Sequence, residues 1–187
     1  MPAEALEGGF AAPAKEAARG FRQVMEAMAR PGRIAELGGA SPPAPLSVAA
    51  GTVLLLLCDG DTPLHLAGEA DCPEVRAWVS FHCGAPLAAA ADCAFAVGTW
   101  EALAPLGRYR AGTADYPDRS ATLIAELPRL AAEGTRLSGP GIAGEAWLSL
   151  PETEAFRANA ARFPLGLDFL FTSGTRLAAL PRSTRVG

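Results

Sequence analysis

The chain reads as a layered α/β domain with a mixed sheet covered by helices on both faces, and three observations lead there. Helical periodicities alternate with short apolar runs along most of the 187 residues, the pattern of a sheet built from strand and helix units. Near the C-terminus two strand-like runs flank a glycine-containing turn, so part of the sheet is antiparallel. No internal repeat or long linker divides the sequence, and its length matches one domain of about 150 residues.

Residues 1–14 are rich in Ala, Gly and Pro with little pattern and are expected to form a flexible arm, leaving a single domain over residues 15–187. Beyond Lys15, Phe21, Val24, Met25 and Met28 fall at i, i+3, i+4 and i+7 between polar flanks, until Pro31-Gly32 stops an amphipathic helix. Residues 38–45 form a loop. Val53-Leu54-Leu55-Leu56-Leu57 would suit a buried strand, yet about twelve residues after the possible N-cap Ser47 fit a buried helix better. Asp59-Gly60-Asp61-Thr62-Pro63 must turn, and residues 64–67 give a short strand. Pro73 opens a helix whose Val75, Trp78, Val79 and His82 share one face, closed by Gly84 and Pro86. Residues 95–97 read as a strand and 99–103 as a helical turn. Residues 120–127, 135–138 and 146–150 are strand-like, and 152–162 helical. Residues 167–172 and 176–180 then make a β-hairpin around the three-residue loop Ser173-Gly174-Thr175, whose glycine supplies positive φ.

Half of the residues are hydrophobic against 19% charged, which excludes a disordered chain. The net charge of −4 offers no overall field to hold nucleic acid or an anionic membrane. The longest apolar run, Val53 to Cys58, is far short of the roughly 18 residues of a spanning helix, and no basic-then-apolar leader opens the sequence. A cytoplasmic location is expected. Cys58, Cys72, Cys83 and Cys93 are spaced by 14, 11 and 10 residues with no Cys-x-x-Cys, so reduced thiols are expected rather than zinc ligands.

Residues able to carry chemistry are sparse. Asp59 and Asp61 around Gly60 could hold a hard cation, but the twelve-residue EF-hand pattern is missing, and a turn whose Asp satisfies local N–H groups is the plainer reading. His82 closes an apolar helix face near the C-terminal end, where the macrodipole favours a protonated ring able to donate to a phosphate or phosphonate oxygen; otherwise it is a hydrogen-bonded core histidine. Cys83 does not face it, and His65 has no identifiable partner. Ser138-Gly139-Pro140-Gly141 could cradle an anion, although Pro140 removes a donor and a plain turn explains it too. Arg176, Arg182, Ser183, Thr184 and Arg185 suit a phosphorylated ligand, an acidic partner or solvent. Arg108, Arg110 and Arg119 surround Tyr109 and Tyr116 without the regular interleaving of a nucleic-acid surface. Lys15 is the only lysine and lies in the first helix, so lysine-based covalent catalysis is not expected.

In order along the chain, Phe21-Arg22 with Met28 and Pro31-Gly32, Asp61-Thr62-Pro63, Phe81-His82 with Ala85-Pro86, Gly112-Thr113, Ala121-Thr122-Leu123-Ile124, Gly139 with Gly141-Ile142, Phe163-Pro164-Leu165-Gly166-Leu167-Asp168 and Pro181-Arg182-Ser183-Thr184 resemble the PhnH family. These are the H subunits of the bacterial carbon–phosphorus lyase core complex, and the likeness spans residues 19–185. It implies a three-layer α/β/α sandwich related to pyridoxal-phosphate-dependent transferases but without the cofactor. It also implies a homodimer that assembles with G, I and J subunits. That complex takes part in making ribose 1-methylphosphonate 5-triphosphate from ATP and an alkylphosphonate, with release of adenine. Because the nucleosidase and radical chemistry belong to other subunits, no catalytic residue carries over. Asp61, Thr62, His82, Arg182 and Thr184 occupy motif positions and can bind an anion or polar ligand, so they form the candidate ligand set, with Gly139 and Gly141 as an anion loop and no metal site. The expected role is a non-autonomous subunit supplying interface and part of a nucleotide or phosphonate pocket. The alternative is a self-contained enzyme on a phosphorylated small molecule, with His82 as general acid or base.

Overall fold

The structure, a computed structural model, describes residues 7–187. Five helices form where the sequence supplies starts and apolar stripes: α1 (Pro13–Ala29), α2 (Val48–Leu57), α3 (Pro73–His82), α4 (Trp100–Leu103) and α5 (Glu154–Ala160). Pro13 and Pro73 occupy first-turn positions that need no N–H donor. Ser47 caps α2, its hydroxyl accepting the Ala50 N–H at 3.1 Å.

The strands are β1 (Ala35–Glu36), β2 (Leu64–Leu66), β3 (Phe95–Thr99), β4 (Thr122–Glu126), β5 (Thr135–Ser138), β6 (Ala146–Leu148), β7 (Asp168–Ser173), β8 (Arg176–Leu180) and β9 (Arg185–Val186). Six of them form one mixed sheet in the order β1-β8-β7-β4-β3-β2, with β2, β3, β4 and β7 parallel to one another and β8 antiparallel to both of its neighbours, β7 and β1. Its central strands are apolar on both faces because both are covered. Ala96, Leu123 and Phe169 stand side by side on one face, and Val97, Ile124 and Leu170 on the other.

The face bearing Val97, Ile124 and Leu170 packs under α1, α2 and α3 through Val24, Val53, Leu54, Trp78 and Val79. The opposite face is an aromatic core in which Phe156 of α5 meets Phe169 at 5.0 Å and Phe171 at 5.6 Å, both edge to face. Helices do lie on both faces, but α4 and α5 share the second with a three-stranded antiparallel sheet, β6-β5-β9, that buries Leu137, Leu148 and Val186. Short strands such as the two-residue β1 and β9 leave no periodicity to read.

Two further differences have physical causes. Helix α1 begins at Pro13, and its buried stripe is Gly20, Val24 and Ala27 rather than the large residues. A Cβ at Gly20 would come within 2.9 Å of Leu56 Cδ1, so close approach to α2 selects small residues and turns Phe21 and Met25 outward. The hairpin loop is two residues long, because Ser173 pairs with Arg176; Gly174 at φ +61° supplies the one positive angle a type II′ turn needs. Residues 1–6 of the expected arm lie outside the described residues.

Candidate functional site

Hairpin register brings two of the sequence motifs together. Phe169 pairs with Leu180, which sets Asp168 opposite Pro181 and within reach of Arg182. Asp168 Oδ1 accepts the Arg182 backbone N–H at 2.8 Å and its Nε–H at 3.2 Å, while Oδ2 accepts Nη2–H at 2.5 Å. The remaining fork nitrogen, Nη1, donates to the Pro117 carbonyl at 2.5 Å. With the side chains only 14% and 16% exposed, Arg182 is a clamp that ties the end of β8 to the start of β7 and to the 117–119 turn.

Thr184 lies beneath this clamp, 1% exposed, with its N–H on the Pro181 carbonyl at 2.9 Å and its hydroxyl without a partner among the described residues. Gly139 sits against the same turn, and Gly141 against the C-terminal end of α1. A Cβ at Gly139 would stand 3.2 Å from the Ser183 carbonyl, and one at Gly141 (φ +82°) would lie 2.0 Å from the Ala29 carbonyl. These glycines let the 139–142 turn close onto α1. Beside it runs a groove of about 490 Å³ walled by Met28, Pro117, Pro140, Phe163, Pro181 and Arg182.

The other candidates occupy the β2 side of the sheet. His82 ends α3 with Nε2 at 2.9 Å from the Glu7 carbonyl, its ring against Trp78 and Phe81 at 5.1 and 4.8 Å. Gly9 covers the imidazole so closely that a Cβ there would be 2.8 Å from Nδ1. Asp61 and Thr62 form a self-contained turn. Asp59 Oδ1 accepts the Asp61 N–H at 2.9 Å, and the Thr62 hydroxyl donates to the Asp59 carbonyl at 2.9 Å and accepts the Asp59 N–H at 2.5 Å. Because β4 and β3 intervene between β7 and β2, the Asp61-Thr62 turn that leads into β2 stands roughly 14 Å or more from the Arg182 clamp, and His82 has its contacts with Glu7, Trp78 and Phe81 instead. The structure therefore joins Arg182, Thr184, Gly139 and Gly141, and keeps Asp61, Thr62 and His82 apart from them. His65, for which the sequence suggests no partner, has Nδ1 at 3.0 Å from the Ala88 carbonyl.

Burial pushes the Cys83 thiol up to about 12. Burial, with Cys83 and Asp59 nearby, pushes that of Cys58 up as well. Burial thus favours the protonated thiol over the nucleophilic thiolate at both positions. Among the described residues no three His, Cys, Asp or Glu side chains gather to hold a metal, and no helix is long and apolar enough to cross a membrane.

Comparison with known proteins places this architecture. Residues 8–187, which carry both groups and the whole of both sheets, match the family model described as bacterial phosphonate metabolism protein (PhnH). The chain belongs to the PhnH family. A relative from Rhizobium meliloti (strain 1021), named alpha-D-ribose 1-methylphosphonate 5-triphosphate synthase subunit PhnH, is 38% identical over 96% of this chain and 94% of its own length. Another, from Stutzerimonas stutzeri, is described as a candidate C-P lyase subunit protein, HtxG, and is 30% identical over 99% of this chain and 92% of its own length.

In this PhnH-family chain Lys15 stands exposed in the first turn of α1, outside both residue groups. Sequence reasoning also missed Glu126, at the carboxyl end of β4. Its Oε1 accepts the Ser47 N–H at 2.6 Å and its Oε2 the Thr172 hydroxyl at 2.9 Å. Open α/β sheets commonly receive anionic ligands at this place, where a helix N-terminus meets the strand ends; here the protein's own carboxylate meets the N-terminus of α2. An acidic residue closing an apolar strand run was the available signal.

Proposed function

We propose that this protein is a non-autonomous subunit of a carbon–phosphorus lyase assembly, taking part in the formation of ribose 1-methylphosphonate 5-triphosphate from ATP and an alkylphosphonate. The observation that carries this reading is the nearly end-to-end match to a relative bearing that subunit name. The residue geometry supports it. Arg182 spends its donors on Asp168 and Pro117, His82 is engaged by Glu7, and the two groups lie on different parts of the sheet.

In this reading the protein acts in the cytoplasm as a homodimer, without pyridoxal phosphate of its own, and docks to G, I and J subunits. The nucleotide or phosphonate is bound by the assembly, to which this chain contributes the groove wall held by Arg182 and Thr184. Asp61, Thr62 and His82 hold the β2 side together. The test is to mix the purified protein with the G, I and J proteins at low salt and follow size-exclusion elution. Co-elution is expected; its failure while the other three assemble overturns the reading.

A further inference from the structure

Helix α1 turns an unusual face outward. Phe21 and Met25 are 47% and 53% exposed, one helical turn apart, and Met28 continues the same ridge down to the groove beside Phe163, itself 61% exposed. Solvent-facing apolar side chains scattered singly need no explanation, but a ridge that runs into an apolar groove does. Alongside the ridge stand Lys15 and Arg22, exposed and without an ion-pair partner among the described residues, while Arg19 lies on the far flank of α1 beside Glu16 and Glu36.

The positive charge there is not accounted for by the helix or by the chain. Lys15 lies in the first turn, where the macrodipole disfavours a cation, and the protein as a whole carries a net charge of −4. Of the acids on this side, Glu26 is paired with Arg33 at 3.5 Å, and Asp118 sits at the groove rim.

We propose that the outer face of α1, from Lys15 to Met28 together with the groove at Phe163, docks a different protein whose surface presents an apolar knob ringed by acidic side chains. The proposal rests on the subunit reading above and identifies the surface used. A second copy is disfavoured because the same patch on both partners would bring the cations Lys15 and Arg22 together without an acidic complement, Glu26 being already paired with Arg33. An anionic bilayer is disfavoured because a concave groove of about 490 Å³ takes a protruding side chain rather than a flat lipid surface. Aromatic and Met residues with Arg are the side chains enriched at interface centres.

The experiment uses the whole protein with the purified G, I and J subunits. Lys15→Glu/Arg22→Glu and Phe21→Ser/Met25→Ser should each weaken assembly roughly thirtyfold or more, the scale of lost interface hot spots. Phe81→Ser, on exposed α3 surface, should co-elute like the wild type, and unchanged thermal melts show that the variants fold. If the serine pair melts early, Arg22→Glu alone decides. Wild-type assembly should also weaken as salt rises. Variants that assemble like the wild type overturn this proposal alone, whereas a wild-type chain that never assembles overturns the subunit reading first and this one with it. Variants that lose only self-association, or only binding to vesicles rich in anionic lipid, assign the face to a second copy or to a membrane and overturn the proposal as well.

Discussion

Replacing Asp168 with Asn keeps the shape of the clamp and removes its charge. The carboxylate receives three N–H groups from Arg182, and both side chains are only 14% and 16% exposed. Breaking a buried ion pair costs about 3–5 kcal/mol, and this one is partly wet. The variant also retains one acceptor oxygen while turning an NH2 toward Nη2. A loss of about 2–3 kcal/mol is therefore expected, which for a chain of this size lowers Tm by roughly 5–10 °C. Urea unfolding of Asp168→Asn, Arg182→Met and the double variant forms a cycle that should give a coupling energy of about 2 kcal/mol. A coupling below about 0.5 kcal/mol would refute the clamp. So would an Arg182→Met protein that keeps full stability but loses affinity for ATP or methylphosphonate in the assembled complex, because Arg182 would then be a ligand donor.

Three further outcomes follow from the same geometry. Glu126→Gln should cost about 1–2 kcal/mol, since the charge at the N-terminus of α2 and the acceptor for Ser47 and Thr172 are weakened together; an unchanged urea midpoint contradicts this. Gly141→Ala should destabilise severely, or prevent expression in soluble form, because its Cβ would stand 2.0 Å from the Ala29 carbonyl at φ +82°; wild-type stability with altered anion binding would mean that the turn is a cradle. Cys58 and Cys83 have folded-state values raised by burial, that of Cys83 from 9.0 to about 12, so the unfolded chain releases these protons first. Their contribution is complete below about pH 9 and lost as pH rises toward 12, by about 1 kcal/mol per thiol in the first unit. The urea midpoint should fall between pH 8 and pH 10, and less so in Cys83→Ala.

Strong local signals determined what was legible in the sequence. Ser47 with the run to Cys58, Pro73 with its apolar stripe, and the parallel core strands each bury enough apolar surface to show a period. Helix α1 misled because Gly20 and Ala27, too small to weigh in a hydrophobic pattern, set the buried side. Strands β1 and β9 were hidden by their length. The candidate residues could be picked out individually, but their grouping depended on strand order, which no local pattern contains. Asp168 and Arg182 were the exception. With the two-residue loop Gly174-Thr175 that the structure shows, antiparallel counting pairs residue 169 with 180 and brings the two motifs face to face, whereas the three-residue loop read from the sequence would pair 168 with 180.

The most direct measurement is product formation from ATP and methylphosphonate by the protein alone, by the G, I and J subunits without it, and by the complete mixture. Only the complete mixture should form ribose 1-methylphosphonate 5-triphosphate at full rate. Turnover by the isolated chain, or an undiminished rate when it is left out, would contradict its assignment as a dependent and necessary subunit.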